Sequence, residues 1–65
     1  MALNLDTDRA RQAFIESRRT VVDSAELVAE GRRNGTLSVA ALDRLVLDVD
    51  TYQAARRAFI TLTPE

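Results

Sequence analysis

Residues 31–38 read Gly31-Arg32-Arg33-Asn34-Gly35-Thr36-Leu37-Ser38 and hold both glycines of the chain. Such a stretch is a linker, a phosphate-cradling loop, or a bend between two helices. Phosphate-cradling loops follow a strand and use longer glycine patterns, and neither is found here. A bend accounts for every residue. Gly31 or Gly35 can take the left-handed conformation that ends a helix, and Asn34-Gly35 favours a turn. Arg32 and Arg33 sit where cations are favoured, beside a helix C-terminus.

The flanks support this reading. Residues 7–31 and 38–61 contain no proline, and Gly31 alone interrupts them. They are rich in Ala, Arg, Glu and Leu, which lose little side-chain freedom in a helix. Asp6 or Thr7 is the expected cap of the first helix, and Asp8 suits its positive dipole end. Ser38 or Thr36 is the expected cap of the second, and Pro64 lies beyond its end. The spacing therefore predicts one domain over 1–65, with helix 7–31, turn 32–37 and helix 38–61. Two long helices with a short connection imply an all-α antiparallel hairpin.

Heptad rows predict how the helices meet. In the first, Phe14, Val21 and Val28 recur every seven residues, as do Ala10, Ser17, Ser24 and Gly31. One row is bulky and the other small, so a facing helix with large side chains can approach closely. The seam expected in the second helix is Leu42, Leu45, Val49, Tyr52 and Phe59, with Val39, Val46 and Ile60 beside it. Arg56 also falls on this seam, near its wet end, within reach of Asp6 or Asp8. Ile15, Val22 and Ala29 form a further apolar row on helix 1, about 100° from the Phe14 row. That is more apolar surface than a two-helix hairpin covers, as expected of a hairpin that dimerises into a four-helix bundle. The alternative is a three-helix domain, in which Asp50 caps a separate helix over 51–61.

Composition narrows the functions. The chain has 65 residues, no Cys and no His. Small domains usually need disulfides, a metal or a partner chain, and the first two lose their ordinary ligands here. No cofactor is expected. Association, with a second copy or with another helical protein, is the remaining source of stability. All nine basic residues are Arg, against ten acids, for a net charge of −1. This is not the strongly basic balance of a typical nucleic-acid binder. No apolar run approaches the ~20 residues of a membrane span. MALNLDTD lacks the pattern of a signal peptide. The expected location is the cytoplasm, or a particle assembled inside a cell.

Catalysis is not expected, because Cys, His and Lys are all missing. Asp43 and Asp50, like Asp23 and Glu30, are spaced to share a helix face. They read as solvated surface, and Arg19, Arg44 and Arg57 as their charge partners. Ser17 and Ser24 read as packing residues of the small row.

The stretch Phe14-Ile15-Glu16-Ser17 resembles the Phe-Ile-x-Ser stretch in the first helix of the Rop family. Tyr52 with Phe59 is similar to the Tyr and Phe near the end of that family's second helix. Rop proteins are plasmid-borne RNA binders of nearly this length, built as helical hairpins that dimerise into four-helix bundles. The resemblance implies RNA contact through helix 1, with Phe14 central and Arg18 standing where the family has Gln. Arg11 and Arg32 extend an Arg stripe able to meet phosphates. The chain departs from the family at Leu3, Ala10 and Ala25, where the family presents polar or basic residues.

The function expected from these observations is non-catalytic: a small assembly or adaptor protein acting by helix–helix association. Its association interface comprises Phe14, Val21, Val28, Leu42, Leu45, Val49, Tyr52 and Phe59, buried between hairpins. The first alternative is an RNA-binding regulator using Arg11, Phe14, Arg18 and Arg32. The second is an obligate small subunit or co-chaperone of a larger phage or secretion complex, an architecture the chain shares in size.

Overall fold

The computed structural model describes residues 4–62. It consists of α1, Asn4–Asn34, and α2, Val39–Leu62, packed as an antiparallel pair. The molecule is a thin slab, with principal extents of 53 × 18 × 13 Å. Helix α1 begins three residues before the expected boundary and ends three residues after it. Asp6 and Thr7 therefore lie inside its first turns and do not cap it, though Asp6 still complements the dipole. Leu3 and Pro64 lie outside the described residues. Helix α2 runs unbroken through Leu47–Thr51, so there is no third helix and Asp50 caps nothing.

The bend is a Schellman motif. Gly35 has φ +73°, the left-handed region that costs an L-residue steric strain. The Thr36 N–H donates to the Gly31 carbonyl at 2.8 Å, and the Gly35 N–H to the Arg32 carbonyl at 3.4 Å. Those are the 6→1 and 5→2 bonds that satisfy a helix's last carbonyls. Gly31 has a separate role. A Cβ there would stand 3.1 Å from Leu37 Cα and 3.2 Å from Leu37 N. The returning chain hugs α1 at this point, and only a residue without a side chain leaves room. At the start of α2 the Ser38 hydroxyl accepts from the Ala41 N–H at 3.1 Å, so Ser38 is the cap.

The seam of α1 follows the expected rows. Thr7, Phe14, Val21 and Val28 are half-buried, as are Ala10 and Gly31, while Ser17 and Ser24 are buried. The seam of α2 differs from expectation. It comprises Ala41, Leu45, Asp48, Tyr52, Ala55 and Phe59, a strict alternation of four- and three-residue steps, with half-buried Val49 at its margin. Leu42 is 41 % exposed and sits beside the seam, and Arg56 is exposed. Asp8 pairs with its neighbour Arg11 at 4.0 Å. The physical reason for the shift is that α2, like α1, presents one large row and one small row. Leu45, Tyr52 and Phe59 are large, whereas Ala41, Asp48 and Ala55 are small. Across the seam large Phe14 lies against large Tyr52 and Phe59, and small Ser24 meets small Asp48. Counting large residues alone as the seam draws Leu42 in and leaves the small row out.

Gly35→Ala is expected to cost about 1–2 kcal/mol through the left-handed backbone. Gly31→Ala is expected to yield none of the ~1 kcal/mol that Ala normally gains over Gly in a helix. Urea unfolding followed by circular dichroism measures both.

Candidate functional site

Two features stand out along the seam. The first is a polar node at its middle. Ser17, Ser24 and Asp48 are the buried side chains among the described residues, at 8 %, 6 % and 8 % exposure, and no apolar residue there is equally enclosed. The Ser24 hydroxyl donates to Asp48 Oδ2 across the seam. Arg44, one turn earlier on α2, brings its Nε to 3.5 Å from the same oxygen, while its side chain stays 68 % exposed. The carboxylate thus receives a hydroxyl from below and a guanidinium from the solvent side. Ser17 makes no such contact; its hydroxyl donates to the Phe14 carbonyl of its own helix at 2.9 Å. Arg44 belongs with Asp48 rather than with Asp43.

The Ser24–Asp48 pair has no catalytic character. The serine donates to the carboxylate directly, with no imidazole or amine to relay the proton, and it is closed off from any substrate. Among the described residues no group of acids is arranged to hold a metal ion. Asp43, Asp50, Asp23 and Glu30 are all exposed. The surface depressions, such as those lined by Ile15, Arg18, Arg19 and Val22 or by Gln53, Arg56 and Ile60, each belong to a single helix. No described helix is long and apolar enough to cross a membrane.

The second feature is aromatic. Phe14 stacks on Tyr52 with ring centroids 5.4 Å apart and on Phe59 at 5.5 Å, with interplanar angles of 23° and 20°. Tyr52 and Phe59 are two turns apart, and Phe14 fills the gap between them. Phe14 is therefore engaged within the hairpin, and its ring faces are already occupied by other rings. Val21, Val28, Leu45 and Val49, also expected at an interface, line the same intramolecular seam at half burial.

The remaining apolar residues sort by side. In an antiparallel pair, residues one position beyond the seam rows fall on the same side of the slab for both helices. Ile15, Val22 and Ala29 of α1 therefore share one broad face with Val39, Leu42, Val46 and Ile60 of α2. We term it the front face. Its large members are well exposed: Ile15 45 %, Val22 50 %, Val39 73 %, Val46 60 % and Ile60 54 %. Arg11, Arg18, Arg32 and Arg56 also lie on this side, and Asp8 is the acid among them. The opposite, back face carries Arg9, Glu16, Asp23 and Glu30 in one column of α1 and Arg44 on α2, with Leu27 and Leu47 as its large apolar residues. Arg11, Arg18 and Arg32 thus stand in an exposed column, with Asp8 paired to Arg11 and Glu16, Asp23 and Glu30 on the other side of the helix.

Asp48 escaped the sequence reading, although it is seven residues from both Ala41 and Ala55. That period marks it as a seam position once the small row is recognised. Compared with known protein families, characterised proteins and solved structures, the chain shows no match.

Ser24→Ala is expected to destabilise the fold by roughly 1–3 kcal/mol, because it leaves the Asp48 carboxylate buried without its donor. Ser17→Ala should stay within about 0.5 kcal/mol, since losing a local bond is offset by the better helix propensity of Ala. Phe14→Ala should cost about 2–3 kcal/mol, the low end of large-to-small core changes, because the ring is only half-buried. Denaturant midpoints of the three variants separate these values.

Proposed function

We propose that the protein is a non-catalytic assembly module that works by helix–helix association. Its front face docks on a second hairpin, and the two hairpins pack as four helices. The observation that carries this reading is the exposure pattern. The described hairpin encloses no apolar side chain fully, while six large aliphatic residues gather on one face. The accessible surface of the chain is 5237 Å². A folded monomer of 7.2 kDa is expected to expose about 4,100 Å². The surplus is of the size that association removes, and exposed apolar patches of this extent mark interaction surfaces. Covering them by a second helical layer is the packing solution open to an amphipathic hairpin.

A second reading draws on the segregation of charge. Arg11, Arg18, Arg32 and Arg56 share the front side, whereas Glu16, Asp23 and Glu30 lie behind. A basic face of this kind suits phosphate contacts along a nucleic-acid backbone. It would act through Arg alone, because Phe14 is held between Tyr52 and Phe59. Titration with a looped RNA at two salt concentrations tests it: binding should weaken steeply with salt and vanish in Arg18→Glu.

Light scattering after size exclusion tests the primary reading. The chain is expected to show a mass of at least two copies, and Val22→Asp with Val46→Asp should lower it to one copy while far-UV circular dichroism stays helical. A helical single-chain mass for the parent sequence at every concentration would rule out self-association.

A further inference from the structure

The association reading leaves open which surface of the second hairpin meets the front face. Charge decides between the candidates. The front side carries Arg11, Arg18, Arg32 and Arg56 with a single acid, Asp8, which is already paired with Arg11. Among the described residues Arg18 and Arg32 make no ion pair. Front-to-front docking would therefore gather eight guanidiniums over two carboxylates around an apolar patch, an arrangement that like-charge repulsion opposes.

The back face offers the complement. Glu16, Asp23 and Glu30 recur every seven residues along α1, in a row that begins with Arg9, and Arg11, Arg18 and Arg32 fall on a parallel row of the same period in which Ala25 takes one place. All are exposed. The two columns are rotated by roughly 140–160° about the helix axis, so they point to opposite sides of the slab and cannot pair within one helix. In two copies aligned so that Arg18 of one lies on Asp23 of the next, a second pair forms one heptad away, Arg11 with Glu16 or, for antiparallel helices, with Glu30, while Ala25 faces the third acid. Apolar surface is available on both sides of such a contact. Val22, Leu42 and Val46 lie on the front, while Leu27 and Leu47, at 62 % and 61 % exposure, lie on the back. Each face of a 53 × 18 Å slab offers on the order of 900 Å², comparable to the ~800 Å² per partner of a stable interface.

We propose that copies of this chain associate front to back, with Arg18 and Arg11 of one copy lying on Asp23 and a neighbouring glutamate of the acidic row of the next. This rests on the self-association reading and specifies its geometry. Such a contact is heterologous. A copy that uses its front still presents a free back, so assembly continues into a stack or closes into a ring and does not stop at a two-fold dimer. The unusual absence of a dry core within one hairpin then has a structural role: each hairpin is a layer of a longer structure, covered on both sides by its neighbours.

The test uses the full chain in sedimentation velocity at low and high salt, with Arg18→Glu, Asp23→Arg and their equimolar mixture. Both substitutions are at exposed positions, and circular dichroism checks that helicity is retained. The expected result is a mass that grows with concentration beyond two copies and shrinks with salt. Each single variant should associate at least tenfold more weakly, and mixing the two should restore growth, because the intact front of one meets the intact back of the other and the two altered surfaces again bring opposite charges together. If Asp23→Arg assembles like the parent and Arg18→Glu assembles as well or better, the contact is front to front; the geometry proposed here is then wrong, and self-association stands. A parent mass that stops at two copies, or single variants whose mixture restores nothing, also overturns the front-to-back contact. A parent that is monomeric throughout overturns both readings together.

Discussion

The hydrogen bond from the Ser24 hydroxyl to the Asp48 carboxylate is the most enclosed interaction between the helices, and it fixes how they meet. A seam of aliphatic residues alone tolerates slippage, because one methyl group packs on another with little preference. A buried carboxylate tolerates it less, since a slide of one turn would remove its hydroxyl donor and leave only the exposed Arg44 guanidinium beside it. With Ser24 opposite Asp48, Phe14 falls between Tyr52 and Phe59 toward one end, and Gly31 falls beside Leu37 at the other. Arg44 covers the outer side of the carboxylate, so the node meets solvent through a guanidinium rather than as a bare anion.

The bend depends on the same register. A small residue at every seventh position of α1 ends in Gly31, where the small row has shrunk to a hydrogen atom. That lets the backbone of Leu37 lie against the helix it has just left. Gly35 supplies the left-handed residue that turns the chain, and Ser38 starts the next helix. Two glycines four residues apart thus answer two different demands, close approach and backbone handedness. The return is tight enough that α2 enters already aligned with the seam.

A two-helix slab has two broad sides, and this one divides its charges between them. Four arginines and Asp8 accompany the larger aliphatic patch, and Glu16, Asp23 and Glu30, with Arg9 and Arg44, accompany the smaller one. A net charge of −1 conceals this polarity completely. The fold is consequently better described as a layer with two unlike faces than as a bundle missing its other half. Its narrow seam holds the layer together, and both faces are exposed in the single chain.

Much of this was legible in the residues. Periodicity, the Gly31–Ser38 stretch and the small row of α1 specify two helices, an antiparallel bend and the α1 side of the seam, because these depend on neighbours within a few turns. The row of Ala41, Asp48 and Ala55 was harder to see. An aspartate reads as surface until a donor is placed opposite it, and Ser24 is 24 residues away in the chain. The same holds for Phe14, whose availability as a contact was decided by Tyr52 and Phe59. By itself the sequence determined which segments are helical, where they turn, and that apolar surface would be left over. The tertiary structure alone decided which polar groups could be buried, since that requires a partner from the other helix. It also decided which side of the slab each charge occupies, since sides exist only once two helices lie together.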